Sequence, residues 1–155
     1  MTDVTIRPYG TADREACLAI FESNLPKFFD ASERAEFCDF LETLPAPATP
    51  YLVLCGQGAL LGCGGLIIHP TDRQARLEWG MIHAAFHGQR LGTRLTGARL
   101  AAVRAIPGLA AITLSTSQHT RGFYEGFGFR ATFVTENGFG PGLHRCDMRL
   151  LLPAG

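Results

Sequence analysis

The chain has 155 residues, 46% hydrophobic and 18% charged, with 14 basic and 14 acidic side chains. That length can bury one ordinary core; the composition excludes a disordered chain, and the balanced charge offers no basic field for nucleic acid. No apolar run nears the roughly 20 residues that cross a bilayer, and the first residues lack the basic start and apolar stretch of a secretion signal, so the cytoplasm is the expected location.

The balance hides an asymmetry. Residues 1–50 carry nine acids against four bases, a net of −5, and residues 51–155 carry ten arginines against five acids, a net of +5. A basic half suits an anionic cofactor; an acidic half suits a cationic substrate or is simply a pair of solvated helix faces. The five cysteines (17, 38, 55, 63 and 146) are odd in number and form no Cys-x-x-Cys pair, which argues against disulfides and structural zinc. No histidine neighbours any of them in sequence, so they read as small buried hydrophobes.

Val4–Arg7 alternates apolar and polar and stops at Pro8, a short strand. A helix follows from about Thr11 to Asn24, with Ala16, Cys17, Ile20 and Phe21 on one face. Asp30 with Glu33 has the spacing of a capping box and starts a second helix, striped by Phe37, Phe40, Leu41 and Leu44 and ended by prolines 45, 47 and 50. Tyr51–Cys55 and Leu60–His69 form a hairpin in which Gly62, Gly64 and Gly65 mark a bulge or a surface kept bare for close packing.

Gln74–His83 is the next strand, and the turn after it leads into a helix with apolar positions Leu91, Leu95, Ala98, Ala102 and Ile106. Pro107-Gly108 stops that helix, and Ala111–Ser115 is a strand, so the unit is βαβ and its two strands are parallel. A short helix spans about Thr120 to Phe127, and Phe129–Val134 and Arg145–Leu152 are the last strands. The linker 135–142 has too many glycines for regular structure. Strand, glycine-bearing turn and helix N-terminus together make an anion site over residues 82–94, because the first helical N–H groups lack intrahelical acceptors and Gly88 and Gly92 let a ligand approach. The region lacks the Gly-Lys-Ser/Thr of a nucleotide P-loop.

With the order βααβββαβαββ, two motifs resemble the GNAT superfamily of acyl-CoA-dependent N-acyltransferases. His87-Gly-Gln-Arg90-Leu-Gly92, with Ile82 ahead of it, is similar to the family's Arg/Gln-x-x-Gly-x-Gly/Ala phosphate loop. His87 and Arg90 depart from it, and a residue other than glycine at 90 is tolerable where φ stays negative. Ser117-Gln-His-Thr120-Arg-Gly-Phe123-Tyr124-Glu-Gly-Phe-Gly128-Phe129 is similar to Asn-x-x-Ala-x-x-Phe-Tyr-x-x-x-Gly-Phe, with Ser117 and Thr120 replacing Asn and Ala.

The resemblance implies one α/β (α+β) domain over residues 1–155, a single N-acetyltransferase domain. Its mixed sheet would have about seven strands and four helices, with a central parallel pair splayed into an acyl-CoA cleft. It implies that acetyl-CoA is co-substrate, with no metal, and that a primary amine of a small molecule or peptide attacks its thioester in a ternary complex. Cofactor contacts would come from Ile82, His83, His87, Gly88, Gln89, Arg90, Leu91, Gly92, Thr93, Arg94 and Ser117, with Arg90 or Arg94 pairing with phosphate. Tyr124 matches the position that protonates the departing sulfur, and also reads as one more core aromatic.

Glu78 is the first candidate base. It is expected on the strand face of Gly80 and Ile82, and is either functional or paired with Arg76. His83, His119 and His144 are its rivals. Neither a membrane nor a nucleic acid is an expected partner, and a homodimer stays open. The alternative is a non-catalytic acyl-CoA-binding or sensor module of the same fold, motivated by the departures at 87, 90, 117 and 120.

Overall fold

The computed structural model describes residues 3–153. In chain order the elements are β1 (Val4–Pro8), α1 (Arg14–Ser23), α2 (Arg34–Glu42), β2 (Tyr51–Gly56), β3 (Ala59–His69), β4 (Gln74–Ile82), α3 (Leu91–Arg104), β5 (Ala111–Thr116), α4 (Arg121–Glu125), β6 (Arg130–Gly140) and β7 (Leu143–Leu151). The strands form one seven-stranded sheet in the order β1-β2-β3-β4-β5-β7-β6, a mixed α/β architecture. Among the described residues only β4 and β5 run parallel, as the crossover through α3 dictates. They pair at just three positions, Gln74↔Ala111, Ala75↔Ile112 and Arg76↔Thr113, and then part.

Both faces of the sheet are covered. Cys17, Ile20 and Phe21 of α1 and Phe37 and Leu41 of α2 close over Tyr51, Val53, Cys63 and Met81. On the other face, Leu100 and Val103 of α3 pack on Leu66, Leu77, Ile112 and Met148. The capping box forms as the spacing predicts: Asp30 Oδ2 accepts the Ser32 N–H at 3.0 Å, and Glu33 Oε2 accepts the Asp30 N–H at 2.8 Å.

Two readings change. The segment 135–142 is not an irregular loop, because β6 continues to Gly140 and turns directly into β7. Its register slips between Thr135 and Gly140, where Asn137 adopts φ +55°, so the glycine-rich stretch is absorbed by an irregularity inside the strand. The inward stripe of α3 is also wider than Leu91 and Leu95. Thr96, Arg99, Leu100 and Val103 are buried, Ala98 and Ala102 are half-buried, and Ile106 lies beyond the helix end.

Candidate active site

The parting of β4 from β5 opens a cavity of about 550 Å³, within the usual range for a ligand site. At its mouth lies the N-terminus of α3. The first helical bond there runs from the Arg94 N–H to the Arg90 carbonyl at 3.2 Å, and no side chain caps the helix. The N–H groups of Leu91, Gly92 and Thr93 therefore have no intrahelical acceptor and sit at the positive end of the helix dipole. Gly88 has φ +83°, which favours glycine. Arg90 has φ +62°, contrary to the expected negative φ: it occupies the left-handed turn that feeds the helix, and an arginine holds it at a steric cost.

Ile82, at the end of β4, is pinned from two sides. Asn24, at the C-terminal cap of α1, donates to its carbonyl at 2.9 Å, and the His87 Nε2–H donates to the same oxygen at 2.8 Å. His87 thus braces the loop, with its ring against Phe28 at 5.2 Å. Ile82, His87, Gly88, Arg90, Leu91, Gly92, Thr93 and Ser117 all line the cavity, whereas His83, Gln89 and Arg94 do not. His83 Nδ1 instead accepts the Ala85 N–H at 3.1 Å. Ser117 is buried and its carbonyl accepts the N–H groups of Thr120 and Arg121, which opens α4.

Further along β4 the strand bulges. Gly65 pairs with Glu78 and Cys63 with Met81, so two residues of β4, Trp79 and Gly80, face the single Gly64 of β3, and pairing with β5 has already ended at Arg76. Trp79 sits at φ +46°. The bulge corrects the expected facing of Glu78. Trp79 packs on Phe21, Phe29, Phe37 and Phe40 and Met81 lies in the same cluster, while Leu77 and Ile82 pack toward α3. Glu78, opposite in facing to Leu77, shares the side of Trp79 and Met81 and not that of Ile82, because one extra residue resets the alternation.

Glu78 is both paired and on the cavity wall. Arg76 Nε donates to its Oε1 at 2.8 Å, and the contact continues from Arg76 Nη2 to Ser115 Oγ (2.6 Å) and from Ser115 to Asp147 Oδ1 (2.6 Å). Arg145 Nε closes the chain on Asp147 at 3.0 Å. Burial raises the Asp147 carboxyl, but the Ser115 hydroxyl and the Arg145 guanidinium outweigh it and hold it below the ordinary carboxylate range. Tyr124 lines the cavity and also packs edge-on against Phe123 and Phe129, so the two readings of it are compatible. His119 and His144 lie off the wall; His144 Nδ1 accepts the Asn137 N–H in the β6–β7 hairpin.

The rest of the wall comes from the segment joining α1 to α2, with Phe28, Phe29 and Glu33, from Glu36 of α2, and from Trp79 and Phe139. Glu33 is 7% exposed. Burial pushes its carboxyl up to about 7, against the Asp30 N–H, and Glu36 adds to the rise. The sequence reading missed this carboxylate as a site residue because its capping role already accounted for it. Among the described residues no group of three or more His, Cys, Asp or Glu is placed to hold a metal ion.

A splayed parallel pair with an uncapped helix N-terminus at its mouth is what a CoA pyrophosphate and its pantetheine arm require. A model of the acetyltransferase (GNAT) domain matches residues 27–152. The chain belongs to the GNAT acetyltransferase family. It is an acyl-CoA-dependent acetyltransferase with acetyl-CoA as co-substrate. No curated protein matches the GNAT chain by sequence.

Solved structures match it in fold. The ribosomal-protein-S18-alanine N-acetyltransferase of Escherichia coli superposes with TM-score 0.80 at 17% identity, over 99% of this chain and 96% of that one. A protein from Salmonella typhimurium, solved with its cofactor acetyl-CoA, gives 0.76 at 18% identity over 99% and 96%. The aminoglycoside 6'-N-acetyltransferase of Enterococcus faecium gives 0.74 at 15% identity over 97% and 99%.

Proposed function

We propose that this GNAT enzyme acetylates the primary amine of a cationic small molecule or peptide. The observation that carries the reading is that Glu33, Glu36, Phe28, Phe29 and Trp79 line the same cavity as the α3 N-terminus. Carboxylate and aromatic faces together are the surface an ammonium group prefers. Neighbours of the same fold, named for ribosomal-protein alanine and aminoglycoside acceptors, are in keeping with an amine.

In the proposed reaction the neutral amine nitrogen bonds to the thioester carbon, the carbon–sulfur bond breaks, the nitrogen loses a proton and the sulfur gains one. Backbone N–H groups at the α3 N-terminus, with Arg90, hold the pyrophosphate. Glu78 receives the amine proton directly or through water, and its pairing with Arg76 keeps it oriented for that task. The Tyr124 hydroxyl donates to the leaving sulfur and is reprotonated from solvent.

Thiol release from acetyl-CoA across a panel of amines tests the reading. Cationic amines are expected to be turned over and neutral or acidic ones far less. A preference for neutral or acidic acceptors overturns the substrate class, and release that Tyr124→Phe and Glu78→Gln both leave unchanged overturns the assigned roles.

A further inference from the structure

The glycines that look like gaps in β3 and β4 enclose a charge. Arg99 of α3 is 1% exposed. Its Nε and Nη2 donate to the Gly65 carbonyl at 3.2 and 2.9 Å, and Nη2 also donates to the Glu78 carbonyl at 3.1 Å. A Cβ at Gly64 would lie 3.1 Å from the guanidinium carbon, and one at Gly80 would run into Nη1. Two glycines on neighbouring strands are therefore stripped of side chains to seat one guanidinium.

Packing does not explain the charge. Among the described residues Arg99 makes no ion pair, and a buried cation without a counter-ion is costlier than an apolar side chain of similar size. What it holds is the bulge. Arg99 takes the Glu78 carbonyl, and the Tyr51 hydroxyl donates to the Trp79 carbonyl at 2.7 Å. Tyr51 and Gly65 both lie on the β3 side of β4. In a trans peptide the N–H points opposite to the C=O, so holding the Glu78 and Trp79 carbonyls also fixes the directions of the Trp79 and Gly80 N–H groups. The register with β3 is broken at these two residues, and β5 does not pair with them.

The depth of this feature gives it a role. A ligand anchored at the α3 N-terminus and laid along the free edge of β4 runs out of gap at Arg76, where the strands rejoin. Its reacting end then lies level with residues 78–81, and Arg99 lines the cavity there. We propose that Arg99 is a positioning residue for acetyl transfer: it fixes the Glu78–Gly80 bulge with its N–H groups toward the thioester carbonyl, and its unpaired charge favours the negative charge that grows on that oxygen. Because the charge appears only during attack, the effect falls on kcat and not on binding. The inference rests on the acetyl-CoA chemistry and is independent of which amine is the acceptor.

The test uses the intact enzyme bound to acetyl-CoA carrying ¹³C at the thioester carbonyl, read by difference infrared spectroscopy without acceptor, together with steady-state kinetics on any amine turned over. In the native enzyme the bound carbonyl band is expected below its solution frequency. Arg99→Met is expected to lose most of that shift and to lower kcat by about 10- to 100-fold, with the KM for acetyl-CoA within about twofold. Arg99→Lys restores part of the shift. Gly80→Ala displaces Nη1 without removing the charge and is expected to lower kcat as well. A folded Arg99→Met enzyme with native kcat and an unmoved band overturns the proposal. If Arg99→Met does not fold, native kcat and band position in both Arg99→Lys and Gly80→Ala overturn it.

Discussion

Tyr124 and Glu33 are two ionisable groups of one cavity whose substitutions read different properties. Tyr124→Phe keeps the ring that packs on Phe123 and Phe129 and removes only the hydroxyl. It is expected to lower kcat by about 10²-fold or more while the melting temperature and acetyl-CoA affinity stay near native values, as checked by thiol-release kinetics and titration. Glu33→Gln likewise keeps an acceptor for the Asp30 N–H. The Glu33 carboxyl, ordinarily near 4.5, is raised to about 7 in the folded chain, so between those values the folded state binds more protons than the unfolded one. Stability is then greatest below 4.5 and falls as the pH climbs to about 7. The Glu33→Gln variant is exempt from that loss, so its melting temperature relative to the native enzyme is expected to rise across that window and level off above it. Its kcat/KM for a cationic amine loses the alkaline-rising limb centred near 7. Tyr124 was legible in the sequence because a fixed spacing of aromatics and glycines carries it. Arg99 was not, because an arginine in a polar helix reads as solvated; what buries it are Gly64 and Gly80, on strands that only the fold brings to it.

The turn from β4 into α3 shows how an element tolerates a residue its geometry disfavours. Arg90 has φ +62°, where a side chain costs about 1–2 kcal/mol, and glycine there would give back part of that gain as extra freedom in the unfolded chain. Arg90→Gly is therefore expected to stabilise the enzyme by about 0.5 kcal/mol, measurable in denaturant. The same change removes a guanidinium from the cavity mouth, so acetyl-CoA binding is expected to weaken about tenfold and to lose part of its salt dependence. Arg94→Ala, which alters a side chain off the cavity wall, is expected to change affinity less than about twofold. Titration calorimetry at two ionic strengths separates the pair. The order and type of the elements were legible because each carries its own periodicity and stop residues. The β6–β7 hairpin was underestimated, since glycines that usually end a strand here sit in a register slip between Thr135 and Gly140. The bulge at Trp79 was invisible for a related reason: residues 74–82 alternate well enough to pass for an uninterrupted strand.

At the level of the molecule, the catalytic gap is a weakness built into the sheet. The β1–β4 and β5–β7 halves are joined by three paired positions, and beyond Arg76 and Thr113 the facing edges of β4 and β5 have backbone groups with no strand to pair with. A ligand lying in the gap supplies what the missing ladder would, so acetyl-CoA is expected to act as a structural bridge as well as a substrate. At about 100 times its Kd it should add about 2.7 kcal/mol if only the folded chain binds, a rise of roughly 5–11 °C in melting temperature for a chain of this size. The gain should also be local. Hydrogen exchange is expected to slow at residues 77–82 and 114–117 and in the 88–94 turn, and to stay unchanged in β1 and β2, which lie on the far side of β3 from the gap. Protection spread evenly over the sheet would mean that the ligand tightens the whole fold, and the bridging account would fail. Protection confined to residues 88–94 would mean that only the phosphates are held, with the thioester arm left outside the gap.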